Sequence, residues 1–150
     1  MKNFFPITIA IVIFFISCDR QKSKDNFYLE SENVFDEAIE IHDEVMPLMG
    51  NIMKLQSTLK EKKENISDEE KIQEINESLQ SLEDAHSSMM DWMRNLTQIP
   101  DQSEVDPEAP DFISAKEMLK IQEQSLKDVK KVRNSILTSI DQAESLIKEL

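Results

Sequence analysis

Glycine is almost missing from this chain, with one residue in 150. That excludes glycine-rich phosphate loops, which need several glycines to let backbone approach a ligand. It also removes the glycines around a hydrolase nucleophile elbow. A single cysteine, Cys18, excludes a disulfide framework and any multi-thiolate zinc site. Basic residues are few beside the acidic ones, 17 against 30, for a net charge of −13. Nucleic acid is therefore not an expected partner, because its affinity comes largely from Lys and Arg on phosphates. Acid pairs such as Asp36-Glu37 and Glu69-Glu70 fall on solvated faces, where carboxylates make poor acid–base couples, and no catalytic activity is expected. The length suits one domain.

The N-terminus is laid out as an address. Lys2 precedes an apolar stretch, Phe4 to Ile16, too short for an ordinary spanning helix. It ends in Phe15-Ile16-Ser17-Cys18, which resembles the lipobox of bacterial lipoproteins, where cleavage falls before the Cys and the thiol is acylated. Residues 1–17 are thus expected to be a lipoprotein signal peptide. The mature chain would start at Cys18 with 16 basic residues against 30 acidic ones, since Lys2 alone is charged in the removed piece. Two or more acyl chains make membrane attachment stable. Asp19 resembles the inner-membrane retention signal of enteric bacteria, but sorting rules differ between phyla. The expected location is the bacterial cell envelope, inner or outer membrane open. Residues 18–33 are polar and charged and read as a tether, with Phe27-Tyr28-Leu29 available to dock on the body or on lipid.

Beyond the tether, strand-like alternation is absent and apolar residues recur at steps of three and four. The first stripe is Phe35, Ala38, His42, Val45, Met49, Ile52, Gln56, Leu59; the second runs from Ile72 through Leu82, His86, Met89 and Met93 to Leu96; the third from Ala115 to Leu150. Such stripes are buried only against other helices. The spacing predicts an all-α, elongated antiparallel three-helix bundle over residues 34–150, with helices at about 34–64, 68–97 and 112–149 and a kink at Pro47. Asn65 ends the first helix, and Ser67-Asp68-Glu69-Glu70 reads as a capping box with Ser67 as the cap. Ile99 to Asp111, with three prolines and five acidic residues, is a loop. Ser114 to Glu117 offers a second capping box. Gln56, Gln122 and Arg133 are polar positions in the stripes, of the kind that fix register or oligomeric state.

His42, Met46, Met49, His86, Met89 and Met93 form the candidate site. An antiparallel hairpin turning near Ile66 sets His42 level with Met90 and Met46 level with His86, and Met118 falls near Met93 on the return helix. Imidazole and thioether ligands suit Cu(I), and by extension Ag(I). Trp92 lies beside them. Three uses fit the same residues: adaptable core packing, a copper site, or a Met-lined groove for a peptide or amphipathic helix. Pro47 and Gly50, two helix-weakening residues, stand inside the cluster.

The stretches His42-Asp43-Glu44-Val45-Met46-Pro47-Leu48-Met49-Gly50 and Met89-Met90-Asp91-Trp92-Met93-Arg94-Asn95 resemble the two signature segments of a family of small helical lipoproteins of Bacteroidetes. That family often carries the label "viral A-type inclusion protein", a name reflecting generic coiled-coil similarity. The resemblance covers most of the mature chain, including Leu137-Thr138-Ser139-Ile140. It implies an envelope lipoprotein and marks the His, Met, Pro and Trp cluster as the family's identifying feature, without implying a biochemical activity. The expected partners are the membrane, through acylated Cys18, and a second protein or further copies of this chain.

Overall fold

The computed structural model describes residues 16–150, with side-chain surroundings from Asn26 onward. Residues 1–15 of the expected signal peptide lie outside the described residues. Four α-helices make up three rods: α1, Ile16–Val45; α2, Met49–Glu64; α3, Glu69–Asn95; and α4, Ala115–Glu149. A 3-10 turn, Met46–Leu48, joins α1 to α2 within the first rod. The architecture is the expected all-α three-helix bundle.

Cross-helix bonds give its direction. Lys63 Nζ donates to Asn76 Oδ1 (2.6 Å) and Gln56 Nε2 to Glu83 Oε2 (3.0 Å), so α2 and α3 run antiparallel. Gln122 Nε2 donates to the Thr97 carbonyl (2.9 Å) and Trp92 Nε1 to Ser125, so α4 turns back along α3. Lys130 pairs with Glu37 (2.7 Å) and Arg133 with Glu44 (3.5 Å), in the same order along both chains, so α1 and α4 are parallel.

The core follows the stripes. Ala38, Val45, Ile52, Leu59, Ile75, Leu82, Ala85, Met89, Val129, Ile136 and Ala143 are fully buried. Their steps of three, four and seven keep each on the inward side of a 3.6-residue helix. α4 has ten buried positions, more than any other helix, because both other rods pack along it.

Two expectations need correction. The tether is helical: α1 begins at Ile16, not near residue 34. No proline or glycine interrupts residues 18–46, and the buried face extends upstream through Tyr28 and Ser31, whose hydroxyl donates to the Phe27 carbonyl (2.7 Å). Leu29, by contrast, stays 57% exposed. The cap of α3 is also shifted by one: Asp68, not Ser67, accepts from the Glu70 and Lys71 amides. Asp68 outcompetes its neighbour because a carboxylate also suits the positive helix N-terminus. At α4 the Ser114–Glu117 capping box forms as expected. The Ser114 hydroxyl and amide both donate to the Glu117 carboxylate and hold its pKa below the ordinary range.

Pro47 sits in the 3-10 turn and Gly50 in the first turn of α2. Gly50 is exposed, its φ is negative, and a Cβ added there would meet nothing within 4 Å. Nothing in the fold requires glycine. Gly50→Ala should therefore stabilise the bundle by about 0.5–1 kcal/mol through lower unfolded-state entropy. Thermal unfolding followed by circular dichroism should show Tm rising by roughly 1–4 °C.

Candidate functional site

The centre of the unusual residues is Trp92, close to the C-terminal end of α3 and 8% exposed. Its indole N–H is shared between the Ser125 carbonyl (3.1 Å) and the Ser125 hydroxyl (3.0 Å) on α4. Its ring lies 5.6 Å from the His42 ring of α1, tilted by 30°. One side chain thus touches all three rods. His42 was expected level with Met90; its aromatic partner is two residues further on. On its other side His42 Nδ1–H donates to the exposed Asp43 carboxylate (2.9 Å). A carboxylate can only accept, so the proton sits on Nδ1 and Nε2 is the nitrogen left with a lone pair in the neutral ring.

The six candidate residues divide into two groups. Met49 (8% exposed) and Met89 (0%) turn into the core among Val45, Ile52 and Leu82. His42, Met46, His86 and Met93 are half-buried at the edges of the stripes. On α3, positions 79, 83, 86, 90 and 93 share the flank that faces α2, marked by the Gln56–Glu83 bond. On α1, Ile39, His42 and Met46 share the flank opposite Glu37 and Glu44, which face α4. A seam between the first rod and α3 therefore carries His42, Met46, His86 and Met93. Met90 (40% exposed) and Met53 (58%) lie along it. Those two lie outside the strict three-four stripes. Met118 does not join: it is 2% exposed, and its sulfur accepts from Gln122 Nε2 (3.4 Å), which also bonds the chain just beyond α3.

The polar stripe residues behave differently from one another. Gln56 is spent on Glu83 at the surface. Gln122 is fully buried, its amide nitrogen satisfied and its carbonyl oxygen without a partner. Arg133 reaches Glu44 while its Nε stays buried and unpaired. Each unpaired buried group costs about 1–3 kcal/mol, so these residues fix packing at the expense of stability.

Two open grooves flank this region. One, of about 570 Å³, runs between α3 and α4 beside Trp92, with Asp91 and Asp128 on opposite walls. Asp91 is paired with Arg94 (2.6 Å). Asp128 is held below the usual carboxylate range first by a hydrogen bond from Lys131 and then by one from Gln124. The other groove, of about 560 Å³, lies between α1 and the proline-rich loop, over Phe35, Ile99 and Pro100. Its rim carries Glu32, Asp36 and Asp101, and the Ser103 hydroxyl and amide lower the Asp101 pKa. Among the described residues, no three His, Cys, Asp or Glu side chains converge as a metal cage. The thioethers stand outside that set.

No family model, curated protein or solved structure matches this chain.

Trp92→Phe keeps the ring against His42 but leaves Ser125 without its indole donor. It should destabilise the bundle by about 1–2 kcal/mol, the range for one lost buried hydrogen bond with some lost contact area. Urea unfolding followed by circular dichroism measures this, and an unchanged midpoint would show that the Trp92–Ser125 bond carries no stability.

Proposed function

We propose that this chain is a lipid-anchored protein of the bacterial cell envelope with a non-catalytic binding or scaffolding role, attached through acylated Cys18. The observation that carries this reading is the lone Cys18 behind a short apolar segment and a small residue. Two features of the body support it. Its interior is filled by aliphatic and thioether side chains, and its grooves are open and shallow, offering surface for partners. No described helix is long and apolar enough to cross a membrane. The resemblance to small helical Bacteroidetes lipoproteins points the same way.

α1 is helical through Cys18, so the anchor leads straight into the body. From Cys18 to Val45 the helix spans about 42 Å.

Cys18→Ser tests the anchor. In a bacterial lipoprotein host the wild type should take up an alkyne-tagged fatty acid and sediment with membranes. The variant should lose the label entirely and fractionate away from the membranes. A wild-type chain without label overturns the reading.

A second reading is soft-metal binding. It is favoured by the half-buried seam, where the His42 Nε2 lone pair, the His86 imidazole and the Met46 and Met93 thioethers supply ligands that suit Cu(I) or Ag(I). Met49 and Met89, buried in the core, would join only if the seam opened. Titration with one equivalent of Cu(I) should quench Trp92 fluorescence and raise Tm, and His42→Ala should abolish both. Unchanged fluorescence and Tm in the wild type remove this reading.

A further inference from the structure

Charge is unevenly spread along the rods. No lysine or arginine stands between Lys24 and Lys54, while seven acidic residues lie between Glu30 and Glu44. None stands between Arg94 and Lys116 either, where the loop carries five acidic residues. The fold brings these two stretches together, because the N-terminal part of α1, the end of α3 and the start of α4 share one end of the bundle. Between them lies the open groove of about 560 Å³, with half-buried Phe35 and Ile99 and the ring of Pro100 as an apolar floor.

Three of the neighbouring acids are committed: Glu37 to Lys130, Glu44 to Arg133, Asp43 to His42. Glu32 and Asp36, on the groove rim, have no ion-pair partner among the described residues. Asp101, across from them, is kept ionised by Ser103. A mostly polar groove with apolar ground at Phe35, Ile99 and Pro100 and uncompensated carboxylates on both edges is complementary to a cationic segment with an aliphatic or aromatic anchor.

We infer that the groove between α1 and the 96–114 loop is a docking site for a basic, apolar-anchored segment of a partner protein. This deepens the binding role proposed above and rests on it for position. Glu32 is fourteen residues from Cys18 along one helix, so the groove stands about 20 Å from the anchored residue. The partner segment therefore lies close to the membrane surface. Anionic headgroups are repelled by the same carboxylates, which leaves the groove open to a protein.

The test uses the full chain, purified with its anchor and floated on neutral phosphatidylcholine vesicles. Flotation reports the anchor alone. Binding is read by fluorescence anisotropy of a labelled helical Leu/Lys peptide, with a Lys-only peptide of equal charge as comparison. The Leu/Lys peptide should bind more tightly than the Lys-only one, and weaken as salt rises. Glu32→Gln with Asp36→Asn should weaken it by about fivefold or more, the effect of two rim charges. Phe35→Ala should weaken the Leu/Lys peptide and leave the Lys-only peptide unchanged. Asp141→Asn with Glu144→Gln, exposed on α4 at the opposite end, should change binding less than about twofold, as expected beyond the reach of unscreened charge. Circular dichroism checks that each variant is folded. Equal weakening by the two double variants, equal affinity for the two peptides, or no peptide binding would overturn the docking site even where flotation succeeds. Failed flotation with groove-specific peptide binding would instead overturn the anchor.

Discussion

Burial of α4 against two neighbours at once is the constraint on which the bundle depends. α1 lies parallel to α4 and α3 antiparallel, and fully buried Val129, Ile136 and Ala143 recur at intervals of seven, one face serving both. At about 25 cal/mol per Å² of apolar area, a buried aliphatic side chain contributes roughly 1.5–3 kcal/mol relative to exposure. The α4 stripe is thus the largest favourable contribution of any helix. α2 and the N-terminal part of α3 complete the seal at the far end, through Leu55, Leu59 and Ile75.

Polar residues then refine what the apolar stripe leaves loose. An aliphatic interface tolerates rotation and slip, whereas a directional bond does not. Trp92 is held to Ser125 by its indole N–H, and Gln122 to Thr97. Both contacts lie at the C-terminal end of α3. The His42 ring completes the arrangement from α1. The residues that look most like chemistry are therefore also those that set alignment. Packing and ligand binding are compatible uses of one seam, because its half-buried members face outward while Met49 and Met89 face in.

Much of this was legible in the sequence. Steps of three and four define rods, and Pro100, Pro107 and Pro110 define a loop, because backbone sterics and hydrogen bonding act locally. The start of α1 was not legible. Residues 19–26 show no apolar stripe, and the burial of Tyr28 and Ser31 comes from α4, which is distant in sequence. The cap at Asp68 was misplaced by one because Ser67 and Asp68 are both good caps, and the carboxylate's added attraction to the helix N-terminus decides between them. Of the His and Met residues, His42 meets the Trp92 ring, while Met49, Met89 and Met118 are core. A periodicity of three and four does not separate the middle of a stripe from its rim, so core Met89 and flanking Met93 looked alike. The groove beside the loop was hidden for another reason. Phe35 and Ile99 are far apart in the chain, and the antiparallel return of α3 along the first rod makes them neighbours.

The three-residue turn at Met46–Leu48 has a mechanical consequence. α4 passes this break in its neighbour without interruption, from Ala115 to Glu149. A pull entering at the N-terminal end of α1 does not have to cross the turn. It is handed sideways, by shear along the paired faces of α1 and α4 where Glu37–Lys130 and Glu44–Arg133 resist sliding, and travels on through the unbroken rod. The molecule is a splinted strut: the fractured member is free to flex while its brace takes the load.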